Sequence, residues 1–401
     1  MKAESKMQFN KAESAELEQS RSKLSALDFQ LKIGFDGKRA VNNLTGLGNY
    51  SRFIIESLAK KFPAQQYFIY SPKVNQQLRS LSLLSLPNVK LELPKSSKFL
   101  WRALGVKKQL LADQIDIYHG LSHEIPFGLQ QTKIKSIVTI HDLIFLRKPH
   151  YYKFIDRKIY EWKSRYACQN ADRIIAISER TKLDIIELYG ISPKKIDVVY
   201  QGCDEAFKIK ATLTKLAEVK NRYQLPDTFI LSVGTIEERK NLNLVIEALA
   251  QAQTSVPLVV VGKPTPYLEK VKDTIAKHQL QSRVLFLHKV TFDDLPAVYQ
   301  LANLFVYPSF YEGFGIPIIE AINSNLPVIA ATGSCLEEAG GPDSVYVSPS
   351  QPNELAIAID NVLSDENLRQ MMVSKSSAYV KKFNNDLVAE QVMECYKKAL
   401  R

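Results

Sequence analysis

Cysteine is scarce in this chain of 401 residues, and the four that occur form no C-x-x-C pair: Cys168, Cys203, Cys335 and Cys395. Such scattered thiols argue against a disulfide framework or a zinc site and indicate the reducing cytoplasm. The first thirty residues contain no apolar segment typical of a signal peptide. No later apolar run approaches the length of about 20 residues that spans a bilayer. We therefore expect a cytoplasmic protein that is soluble or bound peripherally to the cytoplasmic face of a membrane.

Acidic residues are under-represented in only one part of the chain. Residues 30–205 contain 28 Lys and Arg against 16 Asp and Glu, whereas residues 1–29 carry 5 of each and residues 206–401 carry 20 against 21. The net charge of +11 therefore arises in the first half. Such asymmetry indicates an anionic partner on that half, and anionic lipid headgroups, a lipid-diphosphate acceptor and nucleic acid all fit.

The most informative stretch runs from 306 to 331 and reads VYPSFYEGFGIPIIEAINSNLPVIAA. An apolar strand leads into a glycine-rich loop, a helix opened by a proline and a second apolar strand. Gly313 and Gly315 let the backbone approach a ligand closely, just before a helix start that favours an anion such as a diphosphate. Glu312 and Glu320 flank the loop, and a carboxylate can accept hydrogen bonds from both hydroxyls of a vicinal diol. The pattern indicates a phosphate between two hydroxyl-bearing rings, as in a nucleotide sugar.

At these residues the chain resembles the retaining glycosyltransferases of family 4, whose signature is E-G-F-G-x-P-x-x-E. The segment EGFGIPIIE at 312–320 matches the signature without a gap. The resemblance implies an α/β protein of GT-B fold, in which two Rossmann-like parallel-sheet domains face each other across a cleft. It also implies that Glu312 is catalytic and that Glu320 binds the donor ribose. The implied contacts to the donor diphosphate in this loop are Gly313, Phe314, Gly315 and Ile316.

Two motifs in the first half fit the same cleft. A short apolar strand followed by T-G-L-G-N-Y forms the strand, glycine turn and helix of a Rossmann-like corner, although a plain turn would use the same glycines. A later strand runs directly into His141-Asp142, and ligand groups gather beyond the carboxyl ends of such strands. Asp142 could orient a catalytic His141, or the pair could cap the strand end. The resemblance implies that Gly48 contacts the donor diphosphate and that His141 is catalytic near the donor sugar.

A further loop in the second half reads G-T-I-E-E-R-K-N-L and follows an apolar strand. The planar guanidinium of Arg239 and the compact ammonium of Lys240 are both suited to binding a diphosphate. The alternative is that both are ordinary solvated cations on the surface. The loop resembles the G-T-x-E-x-R-K-N form common among members that use GDP-mannose. Many members carry an arginine directly after the glycine, where this chain has Thr235, so Lys240 is the preferred diphosphate contact. Farther on, Val290 occupies the position of the nucleobase contact, with His288 in place of the usual glycine.

The segment KSSKFLWRALGVKKQLL, from 95 to 111, mixes cations with large apolar side chains. One interpretation is an interfacial helix that binds anionic lipid through Phe99, Leu100, Trp101 and Leu104. The other is a surface helix that packs before the next strand, which is favoured because Gly105 interrupts the apolar periodicity.

These signals divide the chain into four parts. Residues 1–29 form a flexible N-terminal extension, and 30–205 form an acceptor-side Rossmann-like domain that ends where the charge bias ends. Residues 206–380 form the nucleotide-sugar-binding Rossmann-like domain. The resemblance implies that the last helix, within 381–401, crosses back to the first domain.

We interpret the chain as a retaining hexosyltransferase that moves mannose from a nucleotide diphosphate sugar to a glycan or a lipid-linked glycan. GDP-mannose is the favoured donor, and a UDP sugar is the runner-up. No Asp-x-Asp triplet occurs, so neither a metal nor another cofactor is expected, and the absence of G-x-x-x-x-G-K-[ST] removes the P-loop NTPases. The alternatives are a non-catalytic relative that binds sugar nucleotides and a nucleic-acid-binding protein. The chain contains no recognised nucleic-acid module, so nucleic acid is not expected as a partner.

Overall fold

The computed structural model describes residues 30–79, 81–95 and 101–401, and the predicted extension at 1–29 lies outside them. The described strands form two sheets. The first sheet contains β1 (Lys32–Asp36), β2 (Gln66–Tyr70), β3 (Val89–Glu92), β4 (Ile117–Gly120), β5 (Lys135–Ile140), β6 (Arg173–Ala176) and β7 (Ile196–Val198). The second sheet contains β8 (Ile230–Val233), β9 (Leu258–Val261), β10 (Val284–Leu287), β11 (Leu304–Tyr307), β12 (Val328–Ala331) and β13 (Val345–Val347).

Both sheets are parallel and share one topology. The strand order is β3-β2-β1-β4-β5-β6-β7 in the first and β10-β9-β8-β11-β12-β13 in the second. In each, the direction of winding reverses between two neighbouring strands, β1 and β4 or β8 and β11. Ligands of open α/β sheets bind beyond the carboxyl ends of the strands at such reversal points. The two Rossmann-like parallel sheets predicted from the sequence are therefore confirmed.

Helices lie between the parallel strands, since such crossovers need a connection of a dozen or more residues, and further helices follow the last strand, β13. They are α1 (Lys38–Asn42), α2 (Gly46–Lys61), α3 (Val106–Ala112), α4 (Ile144–Arg147), α5 (Phe154–Asn170), α6 (Glu179–Tyr189), α7 (Leu213–Tyr223), α8 (Leu242–Gln251), α9 (Tyr267–Lys277), α10 (Leu295–Leu301), α11 (Ile316–Asn323), α12 (Leu336–Gly340), α13 (Pro352–Ser364), α14 (Glu366–Tyr379) and α15 (Asn385–Leu400). Among the described helices, none combines the length and the apolar character needed to cross a bilayer.

The central strands explain why the sheets are covered on both faces. Strand β11 reads LFVY and strand β12 reads VIAA, and every residue of both is buried. A strand buried on both faces reads as a continuous apolar run instead of an alternating one. Layers of helices on the two faces of each sheet provide that burial.

The last helix, α15, packs on the first sheet's side of the molecule. The Tyr396 hydroxyl lies 2.7 Å from Nδ1 of His119, which is fully buried at the end of β4. At the surface, Glu390 pairs with Lys61 at 3.0 Å, and Lys398 donates to Asp197 at 2.8 Å. The chain therefore returns from the second sheet to the first at its carboxyl end.

The described part of the segment from 95 to 111 agrees with the second prediction made for it, a helix that packs before the next strand, and not with an interfacial helix. Residues 96–100, including Phe99 and Leu100, lie outside the described residues. The described part begins with a π-helical turn, Trp101–Gly105, which leads into α3. Trp101 is buried in an apolar cluster with Phe68, Tyr70 and Leu110. Its indole is therefore a core side chain and does not serve an interfacial helix.

Candidate functional site

The loops after β8 and β11 bring the predicted donor-site residues together. These strands are direct neighbours, with Leu304 opposite Ile230 and Phe305 opposite Leu231. Their carboxyl ends therefore meet at the same edge, where the winding of the second sheet reverses. The backbone amide of Phe310 donates to the Arg239 carbonyl at 2.9 Å and ties the two loops to each other.

Glu312 lies between two cations. One of its carboxylate oxygens is 2.6 Å from Nζ of Lys240, and the other is 2.7 Å from Nη1 of Arg239. The Tyr307 hydroxyl donates to the same carboxylate at 3.2 Å and accepts from Lys240 at 2.5 Å. The exposed fractions of the Glu312, Arg239 and Lys240 side chains are only 12, 17 and 18%. We call Glu312, Lys240, Arg239 and Tyr307 the charged cluster.

The charged cluster fixes the ionisation of its members. Burial alone would raise the pKa of Glu312, but Lys240 and Arg239 outweigh it and hold the pKa at about 2. Burial opposes the charge on Lys240 as well, yet the Glu312 carboxylate keeps the pKa of Lys240 above its ordinary value. Glu312 is therefore a carboxylate and Lys240 an ammonium at neutral pH. A carboxylate with so low a pKa is a poor proton acceptor, so its chemistry is to bind and orient hydroxyl groups.

The two cations of the cluster are placed differently. The Arg239 guanidinium also donates to the Tyr311 carbonyl at 2.8 Å and to Glu237 at 2.6 Å, which holds the two loops together. The Lys240 ammonium has three N–H groups, of which Glu312 and Tyr307 accept two. Lys240 therefore keeps a donor for an incoming anion, whereas the contacts of Arg239 are largely within the protein.

The glycine-rich loop at 312–315 is held through its carbonyl groups. The Cys335 Sγ lies 3.1 Å from the carbonyl oxygen of Glu312 and 2.8 Å from that of Phe314, so its S–H donates at this pair of carbonyls. In a trans peptide the N–H of the next residue points opposite to the carbonyl. The amides of Gly313 and Gly315 therefore point away from Cys335. Gly315 precedes α11 with φ of 152°, a conformation that disfavours other residues.

The same loop contacts the first sheet's side of the molecule. A Cβ on Gly313 would lie 2.2 Å from the His141 carbonyl oxygen, so only glycine permits this approach. The Ser178 hydroxyl donates to the Gly313 carbonyl at 2.8 Å. Glu338 accepts from the first amides of α6, at Glu179 and Arg180, at 2.7 and 3.0 Å. These contacts bring His141 beside the charged cluster.

His141 is a neutral, buried imidazole. Its Nε2 lies 2.9 Å from the Leu121 carbonyl and so carries the proton, while Nδ1 faces Gln201 at 3.5 Å. Burial, together with His123, lowers the pKa of His141 to about 3. The hypothesis that Asp142 orients this ring is wrong, because the two ring nitrogens face Leu121 and Gln201, and the Asp142 carboxylate accepts from the amide of Ile144 at 3.0 Å. A backbone carbonyl orients the ring instead.

Four further candidates occupy distinct surroundings. Gly48 lies in the first turn of α2, where its amide donates to the Thr45 carbonyl at 2.8 Å and a Cβ would meet the Asn43 carbonyl. The Phe314 ring is buried and stacks on Tyr200, with ring centroids 5.4 Å apart. Val290 follows β10 and packs partly buried against the main core. Ile316 begins α11. Gly48 and Phe314 thus have evident packing roles at these positions.

Sequence reasoning missed several residues that position this site. Cys335 holds the glycine-rich loop, and Tyr311 bridges to α6 by accepting from Nε of Arg180 at 2.9 Å and donating to Asp184. Asp184 itself is 1% exposed. The apolar periodicity of α6 gave no sign that one of its polar residues is buried, because its partner lies 127 positions away. In the described part of the chain, no three His, Cys, Asp or Glu side chains are grouped as a metal site would require.

Glu320 lies one turn into α11, and its pKa is raised in this environment. Burial raises the pKa of Glu320 to about 7, although the Tyr299 hydroxyl donates to the carboxylate at 2.9 Å. Unfolded Glu320 loses its proton near 4.5, so the folded protein binds more protons between 4.5 and 7. Its contribution to stability is therefore present below about 4.5 and falls as pH rises through 7.

The resemblance assigns Glu320 to the donor ribose, and on that assignment nucleoside binding should show the opposite pH dependence. A ribose diol donates to the ionised carboxylate, so affinity for guanosine or uridine should rise about tenfold from pH 5.5 to 8. Isothermal titration calorimetry with these uncharged ligands avoids the titration of a phosphate. In the variant Glu320→Gln the dependence should vanish, and the 2′,3′-dideoxynucleosides should show none with the unchanged protein. An equal pH dependence in protein and variant would remove Glu320 from the ribose site.

Two family models match most of the chain. The model described as glycosyltransferase family 4 matches residues 51–207, and the model described as glycosyl transferases group 1 matches residues 216–378. O-antigen chain mannosyltransferase B of Escherichia coli is 27% identical over 92% of this chain and 100% of its own length. O-antigen chain mannosyltransferase RfbU of Salmonella typhimurium is 27% identical over 78% of this chain and 84% of its own.

The fold has close counterparts among solved structures. The crystal structure of Anabaena HepE in complex with UDP and glucose matches with a TM-score of 0.71, covering 92% of this chain and all of that one at 19% identity. Identity this low supports the fold alone, and the fold is the GT-B arrangement that the resemblance predicted. The two family models show that the chain belongs to the glycosyltransferases of family 4.

Proposed function

We propose that the protein is a retaining, metal-independent mannosyltransferase that uses GDP-mannose and acts on a glycan or lipid-linked glycan. The observation that carries the proposal is the charged cluster, because it sets an ionised Glu312 and an ammonium with a free donor beside the start of α11. A diphosphate between Lys240 and the first amides of α11 would place the donor sugar against Glu312. The names of the two O-antigen mannosyltransferases support mannose as the transferred sugar.

The proposed chemistry is electrostatic. As the bond between the anomeric carbon and the diphosphate oxygen breaks, Lys240 and the amides before α11 would stabilise the charge on the leaving group. The acceptor oxygen would attack from the same face, and its proton would pass to the departing phosphate oxygen, so the configuration is retained. Glu312 would orient the sugar through its hydroxyls, since its low pKa disfavours a role as base. Neutral His141 would border the donor sugar from the opposite domain.

A cavity in the first domain supports a glycan acceptor. It has a volume of about 250 Å³ and lies at the carboxyl end of β1, where Arg102 contacts Asp36 at 2.5 Å and Glu124 at 3.4 Å. Its walls include the aromatic side chains Trp101, Tyr118, Phe127 and Tyr166. Apolar ring faces combined with a few oriented polar groups suit a sugar ring. An anionic membrane surface, reached through the basic first half, is part of the same proposal.

Purified protein should be tested with GDP, UDP and ADP and with their hexose derivatives. Because a ligand of the folded state raises the melting temperature, GDP and GDP-mannose should give the largest shifts, and GDP-mannose should be slowly hydrolysed or transferred. Larger shifts with UDP and UDP-glucose would select the second candidate, a UDP-hexose transferase, which the UDP and glucose bound to HepE favour. Stabilisation without any turnover would indicate a non-catalytic sugar-nucleotide-binding protein. No shift with any diphosphate would reject the proposal.

A further inference from the structure

We propose that an exposed apolar face of α5 docks the protein on an anionic lipid bilayer. The face consists of Ile155, Ile159 and Trp162, with Phe154 at the start of the helix, and we call it the α5 face. The proposal deepens the acceptor side of the proposed function and rests on it for the lipid-linked acceptor. The binding itself can be measured without donor or acceptor.

The α5 face is a continuous stripe of large side chains. Ile155, Ile159 and Trp162 are spaced by four and three residues, which places them on one side of a helix. Their exposed fractions are 70, 44 and 56%, and that of Phe154 is 66%. Single exposed apolar residues are ordinary on a protein surface, but a stripe of this kind marks an interaction site.

Cations surround the α5 face. Lys153, Arg157 and Lys158 lie around its first turns, and the Arg157 guanidinium lies 5.3 Å from the centre of the Phe154 ring. Between Arg147 and Arg165 the chain contains seven Lys and Arg against two acidic residues. Apolar side chains bordered by cations are typical of helices that lie in the headgroup region of anionic membranes.

The charge pattern favours a bilayer over a second copy of the chain. A two-fold dimer uses the same patch on both subunits, so it would set these cations against one another. An anionic surface instead complements them. The second domain also exposes large apolar residues, Ile209 and Leu213, but in the half of the chain that has no excess of positive charge.

The α5 face adjoins the cavity proposed for the acceptor. Trp162 packs on Phe127, with ring centroids 5.3 Å apart, and Phe127 lines that cavity. Lys163 and Tyr166 of the same helix line it as well. A protein docked through the α5 face would therefore hold the cavity next to the headgroups, where the sugar of a lipid-linked acceptor lies.

The two tryptophans provide a direct test. Trp101 is 2% exposed and Trp162 is 56% exposed, so a fluorescence change on adding vesicles reports Trp162. Vesicles of phosphatidylglycerol and phosphatidylethanolamine should shift the emission to the blue, and brominated lipid should quench it. Vesicles of phosphatidylcholine should have little effect, and high salt should weaken the binding to the anionic vesicles.

Paired variants then assign the binding to the α5 face. The double variant Ile155→Ser and Ile159→Ser should reduce co-sedimentation with the anionic vesicles by about tenfold. The matched control Ile209→Ser and Leu213→Ser removes two exposed apolar side chains from the second domain and should sediment like the unchanged protein. Equal melting temperatures establish that both variants are folded.

Either of two results would overturn the proposal. One is an unchanged Trp162 emission with anionic vesicles, and the other is equal vesicle binding by both double variants. A concentration-dependent dimer that only Ile155→Ser and Ile159→Ser abolishes, without vesicle binding, would assign the α5 face to a second copy. Because these assays contain no sugar nucleotide, their failure leaves the proposed transfer reaction untouched, and loss of transfer leaves the vesicle result standing.

Discussion

The variant Glu312→Gln should lower kcat by roughly 10²–10³-fold while leaving the affinity for a nucleoside diphosphate unchanged or higher. Glu312 is proposed to hold the donor sugar and not the nucleotide, so its loss acts on the reacting ring. Its negative charge also competes with a diphosphate for Lys240, to which it lies 2.6 Å away. Removing that charge leaves the ammonium of Lys240 without its carboxylate partner and so frees it for the diphosphate. Steady-state kinetics, combined with calorimetric titration of GDP, separates the two effects.

The same variant should change the stability of the free protein. Removing one partner of a largely buried ion pair leaves the other charge uncompensated, which costs about 3–5 kcal/mol of the free energy of unfolding. Lys240 and Arg239 would then face each other without the carboxylate that separates them. The free variant should melt at a lower temperature, and GDP should restore more of the loss than it adds to the unchanged protein.

The control is Glu237→Gln, which removes another carboxylate that contacts Arg239, at 2.6 Å. The Glu237 side chain is 38% exposed and makes no contact with Lys240 in the described structure. Its variant should keep kcat within a few-fold of the unchanged protein, because exposed ion pairs contribute little. If Glu312→Gln loses kcat and diphosphate affinity in equal measure, Glu312 is a binding residue only.

The sequence could predict the fold and the charged cluster because of where the polar loops stand relative to the strands. The strands β8 and β11 are short apolar runs followed at once by polar loops, and parallel neighbours place their carboxyl ends together. Arg239, Lys240 and Glu312 each lie in the loop that follows such a strand. Their proximity therefore follows from topology, and the structure brings the three side chains into contact.

The sequence could not reveal contacts between segments that are separated along the chain. Nothing near Ser178 or Cys335 indicates that each would hold a carbonyl of the glycine-rich loop, since Ser178 and Gly313 are 135 positions apart. The pairing of Asp142 with His141 was inferred from adjacency, but adjacent residues at a strand end point in different directions. The His141 ring instead forms a hydrogen bond with the backbone carbonyl of Leu121, the residue that follows β4.

The variant Lys240→Ala should weaken the binding of GDP by roughly 10–100-fold and leave the binding of guanosine unchanged. The ammonium is the group of the charged cluster with a free donor, and a charge-assisted hydrogen bond to phosphate is among the stronger polar contacts. Guanosine lacks the phosphates, so its affinity should not depend on the charge of Lys240. Calorimetric titration of both ligands at constant ionic strength measures the difference.

A second consequence of Lys240→Ala concerns Glu312. Lys240 is the larger of the two cationic influences that hold the pKa of Glu312 near 2, so that pKa should rise toward its ordinary range in the variant. A carboxylate with a lowered pKa stabilises the fold above its unfolded pKa and loses that contribution as pH falls through the folded value. The variant should therefore lose stability at a higher pH on acidification than the unchanged protein does. Thermal melts between pH 3 and 7 measure this shift.

Two further lysine variants make the test of Lys240 specific. Lys263→Ala removes an exposed lysine beyond the end of β9, in the same domain, and should leave GDP binding unchanged. Lys240→Arg keeps the charge but replaces the compact ammonium by a planar fork, so it should recover part of the GDP affinity. If Lys240→Ala weakens guanosine and GDP alike, the lysine supports the loop and does not contact the diphosphate. If neither ligand is weakened, Lys240 does not contact the diphosphate, and its assignment to the donor site is wrong.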